Sequence, residues 1–491
     1  MKRYINWQTT LNVEFARRVA RNALFNLLSL IVGSLSGLLL SITLARILGA
    51  EQFGVYSLAI AVGSMAISFA TLGIDNAVMR YIAFSHGRKD LEGIRAHFYY
   101  FAKVKAVITL IVSTILITLS PKLAEIFNDE RLSIPFALAG LIVLVASFSN
   151  FLNSFFRGLQ KFDYSFFRQI VYETSRWVFV IPLALFFLAS GAVLGSVLAY
   201  TTSLIFLFVL AIKHRELIFG NKTHISPKVN NYMGFMTIAS ISGIVYAYVD
   251  SIMIGYLMDT TYVGYYRAAY TIVFAIIGFA SSLATVLLPT FTQISLRDIE
   301  NALERLNRYS AILAFPSVVL LSHFSKELIS TLYGRDFLPS ASVMFYLSFA
   351  LIPGTFSYLI TIFNAKERAD IRAYIVITSM VLNVALNYAL IIKMGITGAA
   401  IATVISRFFV ISATIVLLNR VLGLQPKIGS CLRPLVATVI MFIVLLVLPK
   451  PESIYTGILE ILLTLMIYFL LLVGLKALTK KDLRYIKSVI G

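Results

Sequence analysis

The chain has 491 residues, of which 59% are hydrophobic and only 13% are charged, and its mean hydropathy is +0.86. This composition excludes an ordinary soluble protein, in which about 25% of residues are charged. The formal charge of +19 is also typical of nucleic-acid-binding proteins. Here, however, Lys and Arg concentrate in alternate loops, which is the positive-inside pattern of a multi-pass membrane protein. The single cysteine, Cys431, excludes an intrachain disulfide.

Apolar segments follow one another almost from end to end. A hydrocarbon core of about 30 Å requires about 20 apolar residues in a helix, and about fourteen such segments are present. A membrane β-barrel would show shorter, alternating segments, so helices are predicted. In chain order the predicted spans are Asn22–Ala45, Val55–Met79, Val104–Leu119, Ile134–Phe156, Gln169–Phe187, Ala192–Ile212, Tyr232–Leu257, Gly264–Ile294, Leu306–Phe324, Ser340–Phe363, Ala373–Ile392, Gly395–Leu418, Pro434–Leu448 and Ile454–Leu475.

These spans predict an all-α integral membrane protein of about 14 transmembrane helices, with two pseudo-symmetric six-helix lobes and two C-terminal helices. Residues 1–212 form the predicted N-terminal lobe, and residues 213–231 form a cytoplasmic linker. Residues 232–418 form the C-terminal lobe, and residues 419–491 hold the two extra spans and a basic tail. The charge distribution predicts that both termini are cytoplasmic.

Three short motifs recur in the two halves in the same order, at offsets of 210, 204 and 207 residues. Each half begins on the same side of the membrane, so the lobes should be related about the membrane normal. Repeats of this kind build transporters that hold their substrate between the lobes and rock around it. The matched pairs are Phe53–Tyr56 with Val263–Tyr266, Lys122–Phe127 with Lys326–Thr331, and Phe156–Asp163 with Phe363–Asp370.

Five segments carry a resemblance to a known family: Leu44–Tyr56, Asp250–Gly255, Val263–Tyr266, Leu382–Val384 and Gly395–Thr403. Through them, and over essentially its whole length, the chain resembles the polysaccharide flippases of the MOP superfamily, the lipid-linked oligosaccharide exporters of the Wzx type. The resemblance implies a V-shaped carrier with a central cavity in the cell membrane. It also implies a polyprenyl-(di)phosphate-linked glycan as substrate, and membrane lipids and other polysaccharide-assembly proteins as partners.

Ionisable residues within spans are the candidate site residues, because each is costly in the bilayer unless it is paired or faces water. Arg407 lies near the middle of Gly395–Leu418, and Arg176 lies about two turns into the fifth span. A guanidinium group offers forked donors that suit phosphate oxygens. The alternatives are a structural role for Arg407 and, for Arg176, an ion pair with Glu173 on the same helix face.

Asp250 and Arg267 are predicted at similar depth on adjacent spans, near the outer side. They form either an interhelical ion pair or, through Asp250, a site for proton or Na⁺ coupling. Tyr246 and Tyr248 lie close by in sequence and are candidates for sugar contact.

Asp75 and Arg46 lie at predicted helix ends. Asp75, at the inner end of the second span close to Arg80, is either a helix-end pair or cap, or a cation-coupling group. Arg46, at the outer end of the first span, is either an interface anchor or a guard of an outer cavity mouth.

No P-loop and no metal-spaced His or Cys cluster is present in the sequence, so no cofactor and no metal are expected beyond Na⁺ or H⁺ coupling. Three other classes of function remain as alternatives. An ion-coupled exporter of small cationic drugs from the same superfamily would have about twelve spans and a cavity rich in carboxylates. A membrane glycosyltransferase or ligase would need a catalytic carboxylate and a large external loop, and a recruitment scaffold would transport nothing. We therefore expect a transporter that is not an enzyme and binds no nucleic acid.

Overall fold

The computed structural model describes the backbone of residues 2–221, 246–449 and 454–478, and the side chains of 21–22, 24–221, 246–278, 291, 294–449 and 455–478. Throughout these residues the chain is helical apart from turns, and the described part contains no strand. The predicted all-α class is therefore confirmed. The chain forms two compact units, Met1–Arg267 and Ala268–Gly491.

The first unit is built from long helices. Helices α1, α5 and α6 pack extensively on one another, and α2 and α3 pack against α5. The bounds are α1 Lys2–Thr71, α2 Ile74–Gly87, α3 Leu91–Thr118, α4 Ser120–Ile126, α5 Ser133–Gly158, α6 Phe162–Lys213, the described residues 246–257 of α7, and the start of α8, Thr260–Gln293.

Two helix pairs of the second unit are strongly bent. The axis bends by 74° between α9 and α10, and by 50° between α11 and the segment that continues through α13. The bounds are α9 Leu296–His323, α10 Ser325–Leu332, α11 Ser340–Ser348, α12 Leu351–Thr355, α13 Tyr358–Ala365, α14 Ala369–Met394, α15 Ile396–Leu422, α16 Leu432–Val447 and α17 Ile454–Gly474.

Eight helices in the described residues are long and apolar enough to cross a membrane, or ten if each bent pair is one span. Two of the eight, Leu24–Thr71 and Phe162–Lys213, contain 48 and 52 residues. At about 1.5 Å per residue, each is more than twice as long as a bilayer core is thick. Each also contains a backbone break, at Gly49 and at Phe187–Leu188 respectively. Each thus holds two predicted spans; the count of fourteen stays a prediction, since Tyr232–Leu257 lies partly outside the described residues.

Helices α3 and α14 are polar on the inside and apolar on the outside. On α3 the buried stripe, with a spacing of four residues, is Lys105, Thr109 and Ser113, and the exposed face carries Val107, Leu110, Ile111 and Ile115. On α14 the buried stripe is Ser379, Asn383 and Asn387, and the exposed face carries Val381, Tyr388 and Ile392. Lipid on the outside makes this arrangement favourable. Lys105, Ser113 and Ser379 donate hydrogen bonds to neighbouring helices, at Asp75 Oδ1 and at the carbonyl oxygens of Gly140 and Ser406 respectively.

The two repeats share the geometry of one helical hairpin. Leu188, at the break in α6, has φ 53° and ψ −136°, and Gly395, 207 residues later between α14 and α15, has φ 61° and ψ −141°. A Cβ atom added at Gly191 would lie 1.9 Å from the Leu183 carbonyl oxygen, and one added at Gly398 would lie 2.1 Å from that of Leu390. These pairs are also 207 residues apart, so the hairpins correspond residue by residue.

This correspondence predicts opposite effects of substitution at the two turns. Leu188 adopts a conformation that only glycine adopts without strain. We expect Leu188→Gly to raise the free energy of unfolding by about 1 kcal/mol, and Gly395→Ala to lower it by about 1 kcal/mol or more. Thermal unfolding in detergent micelles measures both. Leu185→Gly, in the regular part of α6, should destabilise the protein, and a destabilising Leu188→Gly would contradict the assignment of strain.

Candidate functional site

A buried carboxylate organises the contact between α1 and α6 in the first unit. Glu173 is only 5% exposed. Its carboxylate accepts hydrogen bonds from Ser36 Oγ at 2.8 Å, Gln169 Nε2 at 2.9 Å and Arg176 Nη1 at 3.1 Å. Trp177 Nε1 donates to Ser36 Oγ at 3.1 Å. Gln169 and Arg176 lie four residues before and three residues after Glu173, so a single turn of helix on each side supplies both donors. The carboxylate is thereby held between two helices.

Arg176 also lines a small cavity in the first unit. The cavity has a volume of about 50 Å³, and its polar lining is Tyr56, Ser64, Tyr172, Arg176, Ser196 and Tyr200. The guanidinium carbon of Arg176 lies 5.5 Å from the ring centre of Tyr172, which in turn packs against Tyr200 with ring centres 4.5 Å apart. Nε of Arg176 is buried and has no hydrogen-bond partner in the part of the chain that the structure describes.

The cavity therefore offers a cation with a spare donor, surrounded by hydroxyl groups. Glu173 balances the charge of Arg176, which makes burial of the guanidinium affordable in a membrane-spanning helix. The remaining donor and the tyrosine hydroxyls are the groups that phosphate and sugar oxygens require. At the present volume the cavity accommodates water-sized groups but not a monosaccharide.

Arg407 occupies the corresponding hairpin of the second unit. It is half-buried in the middle of α15, and its guanidinium carbon lies 4.4 Å above the ring of Phe274 on α8. At the offset of 207 residues Arg407 corresponds to Tyr200, and Asn383 corresponds to Arg176. Each repeat thus carries an interior arginine at mid-length of a helix in the same hairpin, but on opposite helices. A further arginine of the first hairpin, Arg168, is buried nearer the start of α6, where it donates hydrogen bonds to Ser149 Oγ and Asn150 Oδ1.

Asp75 forms an ion pair that joins two helices. Lys105, 0% exposed on α3, places its Nζ 3.1 Å from Asp75 Oδ1 and 3.0 Å from Thr71 Oγ1. Between Thr71 and Asp75 the chain leaves the helix at Leu72 and Gly73, which have φ values of 42° and 69°. Lys105 is the second residue of the predicted span Val104–Leu119 and was not among the candidate site residues. The sequence pattern that indicates a buried polar face here is the four-residue spacing of Lys105, Thr109 and Ser113 along an otherwise apolar segment.

The remaining candidates lie at different levels of burial. Asp250 is buried and accepts a hydrogen bond from Tyr266 at 2.5 Å. Arg267 is half-buried, with its guanidinium carbon 5.4 Å from the ring centre of Tyr248. Tyr246 is half-buried, whereas Arg46 is exposed. Among the described residues no group of three or more His, Cys, Asp or Glu side chains could hold a metal ion.

A helical hairpin present in both halves, apolar outer faces and charged groups between the helices define a multi-pass membrane protein of the transporter class. The chain belongs to the polysaccharide biosynthesis protein family, which residues 19–295 match. Residues 170–470 also match the family described as lipid II flippase MurJ. Each match covers more than half of the chain.

Proteins similar to this chain in sequence occur in archaea and bacteria. An uncharacterized membrane protein of Methanocaldococcus jannaschii is 24% identical over 443 residues, covering 84% of this chain and 86% of the relative. Stage V sporulation protein B of Bacillus subtilis is 24% identical over 427 residues, covering 79% and 81%. A probable low-salt glycan biosynthesis flippase of Haloferax volcanii, Agl15, is 28% identical over 181 residues, covering 36% and 38%.

Solved structures share the fold at low sequence identity. The lipid II flippase MurJ in an inward closed conformation has a TM-score of 0.74 at 16% identity, covering 91% of this chain and 97% of its own. A MATE family multidrug resistance transporter of the MOP superfamily, in an inward-facing conformation, has a TM-score of 0.64 at 16% identity, covering 82% and 95%. At this identity the likeness establishes the fold.

Glu173 provides a test of the paired site. Glu173→Gln leaves Arg176 in the interior without its counter-charge, so we expect a loss of about 3 kcal/mol in the free energy of unfolding. The double variant Glu173→Gln/Arg176→Gln should recover part of that loss, because no uncompensated charge remains. Thermal unfolding in detergent measures both, with the exposed Glu125→Gln as a control expected within about 0.5 kcal/mol of the wild type. Arg176→Gln alone completes the cycle, and a loss in the double variant equal to the sum of the losses of Glu173→Gln and Arg176→Gln would contradict the coupling.

Proposed function

We propose that the protein is a flippase that moves a polyprenyl-(di)phosphate-linked oligosaccharide from the inner to the outer leaflet, for the biosynthesis of a cell-surface polysaccharide or glycan. The observation that carries the proposal is an interior arginine at mid-length of a helix in the same hairpin of each repeat, Arg176 and Arg407. Cations inside spans are costly and mark the route of an anionic group. The substrate class is also supported by the matching family described as lipid II flippase MurJ and by the relative named a probable low-salt glycan biosynthesis flippase.

Moving such a lipid requires no change of covalent bonds. The protein has to replace the hydration of the phosphates and sugar with its own donors while the lipid tail stays in the bilayer. Arg176, Arg407 and the tyrosine hydroxyls of the first-unit cavity supply donors of this kind. We therefore propose transport by alternating access of the two repeats, without enzymatic activity.

The proposal includes the orientation of the protein in the membrane and the groups that couple transport to an ion. In the cell membrane, the basic alternate loops favour an orientation with both termini in the cytoplasm. Other polysaccharide-assembly proteins would deliver the glycan on that side and receive it on the outer side. Asp250 and Asp75 are the proposed coupling groups for Na⁺ or H⁺. The contact with Tyr266 at Asp250 and the pair with Lys105 at Asp75 each hold a carboxylate inside the helix bundle, where a change of charge state alters helix packing.

Transbilayer movement in proteoliposomes tests this function. The probe is a polyprenyl-diphosphate oligosaccharide with a fluorophore on its glycan, and a membrane-impermeant quencher reports the fraction in the outer leaflet. We expect movement by the wild type and a 10- to 100-fold slower rate for Arg407→Ala, because a charge-assisted hydrogen bond to phosphate contributes about 1.5–3 kcal/mol. Arg407→Lys should retain an intermediate rate, since it keeps the charge but loses the forked donors.

Arg420→Ala is the matched control, because Arg420 is an exposed residue in the last turn of the same helix. It should flip the probe at the wild-type rate. Equal rates for Arg407→Ala and the wild type would remove Arg407 from the substrate path. Absence of movement with several glycans, together with uptake of a small organic cation, would replace the flippase with the drug exporter.

A further inference from the structure

Two glycines of the repeated motif make a reciprocal backbone contact within the first unit. A Cβ atom added at Gly54 would lie 1.7 Å from the carbonyl oxygen of Thr260 and 3.1 Å from the amide nitrogen of Gly264. A Cβ atom added at Gly264 would lie 2.2 Å from the carbonyl oxygen of Ala50 and 3.2 Å from the amide nitrogen of Gly54. Neither position has room for a larger side chain while the contact is closed.

The contact is symmetric in sequence. Gly264 lies 210 residues after Gly54, and Thr260 lies 210 residues after Ala50, which is the offset of the first motif match. Each glycine therefore touches the carbonyl four residues before its counterpart, so the two copies of the motif meet face to face about a local two-fold axis. Small residues at a helix crossing allow this close approach, as in small-xxx-small contacts of membrane helices.

A cluster of polar side chains adjoins this glycine contact. Thr260 Oγ1 donates to Asp129 Oδ2 at 2.8 Å, and Arg131 Nε donates to Asp129 Oδ1 at 2.8 Å. Arg131 also forms an ion pair with Glu51, and their side chains are 45% and 58% exposed. Burial alone would raise the pKa of Asp129, but the hydrogen bonds from Arg131 and Thr260 hold that pKa below its ordinary value. The cluster thus stays charged near neutral pH.

These interactions have the properties of a contact that opens and closes. The close approach is made by backbone atoms at the two glycines, so it can separate without withdrawing large interlocked side chains. Exposed ion pairs contribute only about 0–1 kcal/mol each, and a two-state element needs a gap of only a few kcal/mol. The charge pattern assigns all of these residues to the outer side of the membrane.

We infer that the contact of Gly54 with Gly264 and the cluster of Glu51, Asp129, Arg131 and Thr260 form an outer latch between the two repeats. The latch holds the part of α1 that follows its break at Gly49 against the start of α8, and it must open for release to the outer leaflet. This role rests on the proposed flippase function, whereas the opening itself can be measured without transport.

Thiol labelling measures the opening. In a Cys431→Ser background, Thr260→Cys places one thiol at a position that is 1% exposed. A membrane-impermeant maleimide added from outside should label it slowly but to completion in folded protein, because the latch opens transiently. A thiol that stays unreactive in folded protein and reacts only after denaturation would overturn the latch, since the contact would then be permanent.

Alanine substitutions at glycines of α1 test whether the close contact of Gly54 keeps the latch closed. Gly54→Ala prevents close approach to Thr260, so it should raise the labelling rate of Thr260→Cys at least 10-fold. Gly37→Ala is the matched control, since Gly37 is another helical glycine of α1 and a Cβ there meets no atom within 4 Å. It should leave the labelling rate unchanged. Equal rates for the two alanine variants would overturn the latch.

A cross-link connects the latch to transport. Asp129→Cys/Thr260→Cys, in the same background, replaces two oxygens that lie 2.8 Å apart on different repeats. Oxidation should reduce flipping of the fluorescent polyprenyl-diphosphate probe at least 10-fold, and reduction should restore it. Ser175→Cys/Thr202→Cys is the control pair, because its oxygens also lie 2.8 Å apart but within one repeat.

The outcomes separate the two claims. Flipping that persists after full cross-linking of Asp129→Cys/Thr260→Cys overturns the latch but leaves the flippase standing. Absence of flipping in both reduced double variants and in the wild type counts against the proposed function, and the labelling rates then decide the latch alone.

Discussion

The structure depends on the need to pair interior charges without water. In the hydrocarbon core an unpaired backbone or side-chain polar group costs several kcal/mol, so each interior charge has to find its partner on a neighbouring helix or turn. Glu173 is held by donors from α1 and α6, and Lys105 joins α3 to Asp75 beyond the break that follows α1. The packing of the first unit is specified by such pairs because apolar side chains gain little from leaving lipid.

The internal repeat places equivalent backbone features in both halves of the chain. Both repeats contain a hairpin whose turn, at Leu188 and at Gly395, has the same backbone geometry, and each hairpin carries an interior arginine on a different helix. Repetition also makes two equivalent glycines meet at Gly54 and Gly264. A contact built from the same motif on both sides favours a symmetric closed state, while the weak ion pairs around it keep that state reversible.

Much of the fold follows from the sequence because hydropathy and length alone identify membrane helices. The pairing of Arg176 with Glu173 was among the alternatives because the two residues are three apart on one helix, so local geometry is sufficient to foresee it. Lys105 was missed because its partner, Asp75, lies on another helix, and sequence spacing carries no information about that distance. The turn at Leu188 was also inaccessible, since leucine gives no sign of a conformation that glycine adopts at the equivalent position. The close approach of Gly54 to Thr260 required coordinates as well, although the repeated motif had marked both segments.

The central claim is that interior arginines receive the anionic head group of a lipid-linked glycan. The most direct measurement is an experimental structure of the protein in lipid nanodiscs with a bound polyprenyl-diphosphate oligosaccharide. The account predicts diphosphate oxygens within hydrogen-bond distance of the guanidinium of Arg407 or Arg176, with the lipid tail outside the helices. A diphosphate bound away from both arginines would contradict it.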